Sequence, residues 1–277
     1  MDRKEISELI RNKLVKDKAM LRNAWLESRP VRHFICDDLL PPSLVKTAHE
    51  RFPDKSLLIF RDDMRERKYA GSDTSSFHTI INDILFAFQD KAILTLMEEI
   101  TGLSAIEADP TLYASGVSIM EPRGFLNPHI DNSHDGKTGN YRILNALFYV
   151  TPDWQPSEGG NLELWDKPKS GKVDVPALFN RLVIMQTDRV SWHSVSAIVG
   201  NRKRCCISNY YFSPQSPIEK NYRHVTLFKA RPEQGLKRIL FQLDGLIRNA
   251  LGKIISNQGL LKLRNANFIL GRKEKLP

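Results

Sequence analysis

The stretch Asn127-Pro128-His129-Ile130-Asp131 decides how the rest of this sequence is read. His129 and Asp131 are separated by one residue, and on a β-strand side chains two apart point to the same face. An imidazole and a carboxylate then stand side by side on a rigid element. A third ligand would complete a metal site, and His193, just after an apolar strand, is the candidate.

Outward from this stretch the sequence reads as short strands. Tyr113 to Met120, Ile143 to Val150, Asn161 to Trp165, Arg181 to Gln186 and Cys205 to Phe212 are apolar or alternating and are separated by turn signals. Such spacing predicts an all-β sandwich or barrel over 111–228. Residues 1–110 are different. The spacing of Ile6, Leu9, Ile10 and Leu14 predicts a helix over about 2–28, followed by a strand at 31–36 and a helix at about 43–52. Leu57 to Phe60 reads as a buried strand, 61–77 as a polar loop, and 78–102 as one further helix. The loop carries Arg61, Arg65, Arg67, Lys68 and Tyr69, and is read either as a lid over an anionic substrate or as a solvated loop.

The formal net charge of +9 is unevenly placed: eleven Lys/Arg stand against three Asp/Glu in 229–277. There Leu236, Ile239, Leu240, Leu243 and Ile247 form an apolar stripe, so 229–277 reads as a basic amphipathic helical tail. It has three open readings: packing on the body, pairing with a second copy in a homodimer, or lying on an anionic membrane surface. Nucleic acid is disfavoured, because the tail lacks interleaved aromatics. With three cysteines and no signal peptide or membrane span in the sequence, the expected location is cytoplasmic, with the tail reaching the inner face of the membrane.

Two His and one carboxylate on one face form the donor set of the non-haem Fe(II) oxygenases. His134-Asp135 offers competing donors, but adjacent residues in a polar turn point apart. In order, the chain carries Phe125-Leu126-Asn127-Pro128-His129-Ile130-Asp131-Asn132, Leu147-Phe148-Tyr149-Val150-Thr151-Pro152-Asp153-Trp154, Gly159-Gly160-Asn161-Leu162-Glu163-Leu164, and His193 through Arg204. In these phrases it resembles the 2-oxoglutarate-dependent Fe(II) dioxygenases, and in detail their prolyl 4-hydroxylase-like branch, over roughly residues 30–215.

The resemblance implies a double-stranded β-helix, or jelly roll, with flanking N-terminal helices and a C-terminal helical extension. It implies Fe(II) held by His129, Asp131 and His193, with 2-oxoglutarate and O2 as cosubstrates and ascorbate as reductant. The reaction implied is hydroxylation of an unactivated C–H, with succinate and CO2 as co-products. The distal carboxylate of the cosubstrate needs a forked cation. Arg204 takes that place, and Arg202 is the alternative. Tyr149 matches a tyrosine that helps bind the same carboxylate, and Asn145 and Leu147 alternate with it toward the same pocket. Met120 and Arg123-Gly124 depart from the family pattern in the loop bordering the site. The substrate therefore stays open between peptidyl proline, a small molecule, and a membrane-associated or glycolipid compound. A non-catalytic metal-binding module is the rival of a different class.

Overall fold

The computed structural model describes residues 1–167, 171–218, 220–235, 239–241 and 243–244. Four helices lead into a large curled sheet. Helix α1 (Arg3–Glu27) begins at a reciprocal capping box: the Asp2 side chain accepts from Glu5 N–H, and Glu5 accepts from Asp2 N–H. It buries Ile6, Ile10, Leu14, Leu21 and Trp25, one stripe at helical spacing, against α3 (Thr79–Ala87) and α4 (Lys91–Thr101). Between them, α2 (Pro42–Glu50) starts with a proline at its first position.

The single helix expected over 78–102 is two. Phe88 caps the end of the first, and Asp90 caps the start of the second, its side chain accepting from Ala92 N–H at 2.9 Å. The buried Gln89 side chain meanwhile donates to the Asp109 carbonyl and to Asn209.

Twelve strands make the sheet: β1 (His33–Cys36), β2 (Ile59–Asp62), β3 (Glu66–Gly71), β4 (Gly116–Met120), β5 (Phe125–Ile130), β6 (Tyr141–Tyr149), β7 (Leu162–Lys167), β8 (Gly171–Val175), β9 (Arg181–Gln186), β10 (Trp192–Val195), β11 (Arg204–Ser213) and β12 (Leu227–Phe228). The order is β1-β9-β6-β11-β4-β3-β5-β10-β7-β8, all antiparallel, with β2 on β3 and β12 on β5. This is the double-stranded β-helix with N-terminal helices packed on its outside.

Strand alternation splits the core in two. Leu144, Ala146, Phe148, Leu182, Ile184 and Ile207 face outward and join the helices in one cluster. Tyr149, Val183, Met185, Cys206, Leu164 and Val195 face the barrel interior in a second. That interior cluster is where the site forms. Cys36, Cys205 and Cys206 are buried free thiols, as the apolar stretch around Cys205 and Cys206 suggests for those two.

Two expectations are corrected. Leu57 to Phe60 is not a buried strand: Leu57, Ile59 and Phe60 are 41–49% exposed, because β2 is an edge strand. Residues 61–77 are not a loop but largely a hairpin, closed by the Arg65 and Glu66 N–H groups donating to Asp63 Oδ1. Its charges pair across and along the strands, Arg67 with Asp62 and Lys68 with Glu66, which disguises a strand as a polar loop. The stripe and basic face expected of the tail beyond Leu236 lie almost wholly outside the described residues. No described helix is long and apolar enough to cross a membrane.

Candidate active site

His129 stands on β5 and His193 on β10, and the two residues face each other directly across the antiparallel pair. Their rings lie 4.1 Å apart, centroid to centroid. Asp131 follows β5 by one residue and reaches back between them. Its Oδ1 is 3.8 Å from His129 Nε2, and its Oδ2 is 3.8 Å from His193 Nε2, both beyond hydrogen-bond range.

Each imidazole is oriented from behind. His129 Nδ1 donates to the carbonyl of Asn127 at 3.0 Å, and His193 Nδ1 to that of Ser191 at 2.9 Å. With Nδ1 engaged as donor, the free lone pair is on Nε2 in both rings, aimed at the same point. Burial, then the adjacent His193, pushes His129 down to about 3, so the ring is neutral at neutral pH. Burial would raise Asp131, but Arg142, His193 and His129 overcome it and hold the carboxyl at about 2. The neutral His129 imidazole and the ionised Asp131 carboxylate are thus ready to take a divalent cation without losing a proton.

Asp131 Oδ2 is buried with no hydrogen-bond partner. A buried carboxylate oxygen left bare is costly, and a cation at the convergence of the three donors would satisfy it. Among the described residues this is the one group of three or more such donors close enough to share an ion, all within 4.8 Å of one another. His134 and Asp135 do not join it. The His134 ring packs on Tyr141, and Asp135 accepts from Lys137 N–H in its turn.

A one-residue bulge brings His129 into the interior. Leu126 pairs with Val195 and His129 with His193, so β5 spends one residue more than β10. Leu126 and His129 therefore both face inward despite odd spacing. Pro128, which has no N–H to give, lies within the irregularity. A second bulge, at Ile143 on β6, turns Arg142 toward the site. Arg142 is 5% exposed, lies over the Tyr210 ring at 4.4 Å and reaches Asp131 Oδ1 at 3.4 Å. Simple alternation along β6 hides it.

Beside the donors is a second polar pocket. Arg204 opens β11 with its guanidinium over the Tyr149 ring at 5.2 Å, and Nη1 donates to the Gly160 carbonyl at 2.6 Å. Its Nε, the Tyr149 hydroxyl and Asn145 Oδ1 are buried without partners. Burial raises the Tyr149 hydroxyl above its ordinary range, so it remains an O–H donor. A forked cation and a phenol facing one space suit a carboxylate.

The glycine turn shapes this pocket. Gly160 sits at φ +67°, and a Cβ there would lie 2.5 Å from Ile198 Cδ1 and 3.0 Å from Arg204 Cδ. The sequence-based alternative, Arg202, is committed elsewhere. Its Nε donates to Glu158 at 2.7 Å, its Nη1 to the Pro152 carbonyl, and it stacks on the outside of Trp154. Leu147 is partly buried against the interior cluster alongside Tyr149.

On the mouth side, Glu66 pairs with the inward-facing Leu126, so Glu66 and Lys68 also face inward from β3. Lys68 lies close enough to act electrostatically on both His129 and Asp131.

Residues 115–212 match the family model of the 2OG-Fe(II) oxygenase superfamily. The mouse prolyl 3-hydroxylase OGFOD1 is 25% identical over 172 residues, which is 60% of this chain and 28% of the relative. The human prolyl hydroxylase EGLN3 is 25% identical over 99 residues, 35% of this chain and 40% of the relative. The chain therefore spans well under half the length of these relatives. In structure, a Pseudomonas putida prolyl-4-hydroxylase superposes with a TM-score of 0.51 at 19% identity, over 71% of this chain and 100% of that one. Prolyl 4-hydroxylases from Phytophthora capsici superpose at 0.51 and 14% identity, over 77% and 67%. Over residues 115–212, the stretch that carries all three converging donors, the chain is thus similar to the 2OG-Fe(II) oxygenase superfamily, and its fold is that of the prolyl 4-hydroxylases.

Proposed function

We propose that this chain is an Fe(II)- and 2-oxoglutarate-dependent hydroxylase. In this reading His129, Asp131 and His193 hold the metal, and Arg204 with Tyr149 holds the distal carboxylate of 2-oxoglutarate. The observation that carries it is the bare, buried Asp131 Oδ2 facing two imidazole Nε2 atoms. When bound, Fe(II) with 2-oxoglutarate and O2 supplies the oxidising power for C–H hydroxylation, with succinate and CO2 as co-products.

The chain's own residues bind, orient and exclude water. The Asn127 and Ser191 carbonyls keep the rings in the Nε2-open tautomer. Arg142 holds Asp131 ionised and aimed. Tyr149 keeps its proton for donation. Leu162, Leu164, Val183, Met185 and Cys206 share the buried interior cluster with Tyr149, and this apolar surrounding strengthens each polar contact inside it. Burial pushes the Cys206 thiol up to about 11, so it sits in the interior cluster as an inert group.

For the substrate we favour a prolyl residue within a peptide or protein. The support is the naming of the relatives as prolyl hydroxylases and the open flank of the site, where the β2–β3 hairpin presents an exposed edge strand. The test is succinate release from 2-oxoglutarate with Fe(II), together with mass spectrometry for a +16 Da product on prolyl peptides. We expect both signals from the wild type and neither from His129→Ala. Succinate release unaffected by His129→Ala would sink the ligand assignment. Succinate release with +16 Da products only on non-peptide compounds would sink the prolyl reading alone.

A further inference from the structure

Behind the two histidines runs a buried polar network that ligation does not itself require. After β11 the chain returns and lays β12 along β5, with Phe228 opposite His129. The Phe228 ring stacks on the His129 imidazole, centroids 5.1 Å apart and planes 18° from parallel. Lys229 N–H donates to the Pro128 carbonyl at 2.8 Å, fastening this strap across the β5 bulge.

Arg231 then turns inward. Its Nη1 lies 2.6 Å from Oε2 of Glu163, a residue only 2% exposed. Its Nη2 donates to the Val195 carbonyl at 2.8 Å, and its Nε to Asn127 Oδ1 at 3.2 Å. One guanidinium therefore grips β5, β7 and β10 together.

Both ends of this grip lead to the metal donors. Glu163 is paired with Ser194 in the β7–β10 register and accepts its hydroxyl, and Ser194 adjoins His193. Asn127 is the residue whose carbonyl orients His129. It also donates Nδ2 to Met64 O at 2.7 Å and N–H to Arg65 O at 2.8 Å, which ties the β2–β3 turn into the same network. A buried ion pair is a poor source of net stability, because desolvation offsets the attraction. A planar fork that meets acceptors on three strands is instead a means of fixing geometry, and a lysine could not reproduce it.

We propose that Arg231, with Glu163 as its buried counter-charge, is a positioning residue for the metal centre. It binds the C-terminal strap to the backs of both histidine strands and sets their separation, while Phe228 sets the plane of the His129 ring. The inference rests on the reading of His129, Asp131 and His193 as the metal ligands.

The test uses Co(II) as the probe on the full chain, reading its dissociation constant and visible absorption band, with denaturant unfolding in parallel. Arg231→Met alone leaves the buried Glu163 charge with Lys172, 2.6 Å from its Oε1, as its remaining cation and risks misfolding. The double variant Glu163→Gln/Arg231→Met removes both charges and avoids that. We expect the folded double variant to bind Co(II) about 10- to 100-fold more weakly, with an altered band. Arg231→Lys should fall between it and the wild type, since it keeps the charge but loses the fork. A merely structural pair would lower the unfolding midpoint and leave the dissociation constant of the folded protein unchanged. Wild-type affinity and spectrum in the folded double variant would overturn the proposal. If wild type bound Co(II) no more tightly than His129→Ala, the ligand reading beneath it would fall instead.

Discussion

Replacing Arg204 probes the cosubstrate pocket most directly. Its guanidinium is buried, 3% exposed, with Nη1 donating to the Gly160 carbonyl and Nε unpartnered. Arg204→Lys keeps a charge but loses the fork. One charge-assisted hydrogen bond is worth about 1.5–3 kcal/mol. At about 1.4 kcal/mol per decade, this predicts roughly 10- to 150-fold weaker 2-oxoglutarate binding. Arg204→Met leaves the bound carboxylate without a cation, and the loss should exceed about 100-fold. It also strips the Gly160 carbonyl of its donor, which should cost the apoprotein about 1–3 kcal/mol of stability in denaturant unfolding. Arg202→Met is the control: its side chain is engaged with Glu158 on the outer surface, so affinity should hold within about twofold. The assay is calorimetric titration of 2-oxoglutarate into the metal-loaded protein without O2. Wild-type affinity in Arg204→Met, or a large loss in Arg202→Met, would refute the assignment of the anchor.

Three further outcomes follow from single contacts. Tyr149→Phe removes a buried hydroxyl without a partner, so the apoprotein should be as stable or more stable, while 2-oxoglutarate affinity drops roughly 3- to 10-fold by titration. Gly160→Ala places a methyl group 2.5 Å from Ile198 Cδ1 at a left-handed φ. It should cost about 1–3 kcal/mol in denaturant unfolding and raise the KM for 2-oxoglutarate. Burial would raise Glu66, but Lys68 and Arg61 hold it at about 2 against an ordinary 4.5. A depressed carboxyl stabilises the fold above its unfolded value and loses that contribution as pH falls through its folded one. The stability gap between wild type and Glu66→Gln should therefore be full above about pH 4.5 and close towards pH 2, on the order of 3 kcal/mol at most. A pH-independent gap would show that Lys68 and Arg61 do not hold this carboxylate.

The parts of the site that could be read in the sequence are those carried by local pattern. His129 and Asp131 lie two apart, the glycine turn precedes Glu163, and Arg204 heads an apolar strand eleven residues after His193. Each is a short-range statement, and strand alternation places Asn145, Leu147 and Tyr149 on one face as expected. Arg142 reads in the sequence equally as a solvated strand residue or a substrate contact; its place beside Asp131 is hidden because alternation holds only while the register is unbroken, and the bulge at Ile143 reverses it. Pro128 is a legible signal for the other bulge, since proline in a paired strand demands an irregularity. The β2–β3 hairpin escaped for a chemical reason. Its strands are dense in Arg, Lys, Asp and Glu that neutralise one another across and along the strands, so composition reads as solvated loop.

The strap was illegible on different grounds. Phe228 and Arg231 stand about a hundred residues from Leu126–His129, the stretch they hold, and nothing in the spacing of either segment announces the other. Charge counting even misdirects, because it assigns Lys229 and Arg231 to a basic tail. Arg231 is instead neutralised inside the barrel wall by Glu163. A carboxylate as buried as Glu163 demands cations, and Lys172 from the adjacent strand meets that demand at one oxygen while Arg231 meets it at the other, so a local partner hides the distant one. The physical boundary of the barrel body therefore falls beyond Arg231: Gln234 also reaches Asn127, Phe241 is buried and Asp244 pairs with Arg65, so truncations meant to remove the tail should begin after Asp244.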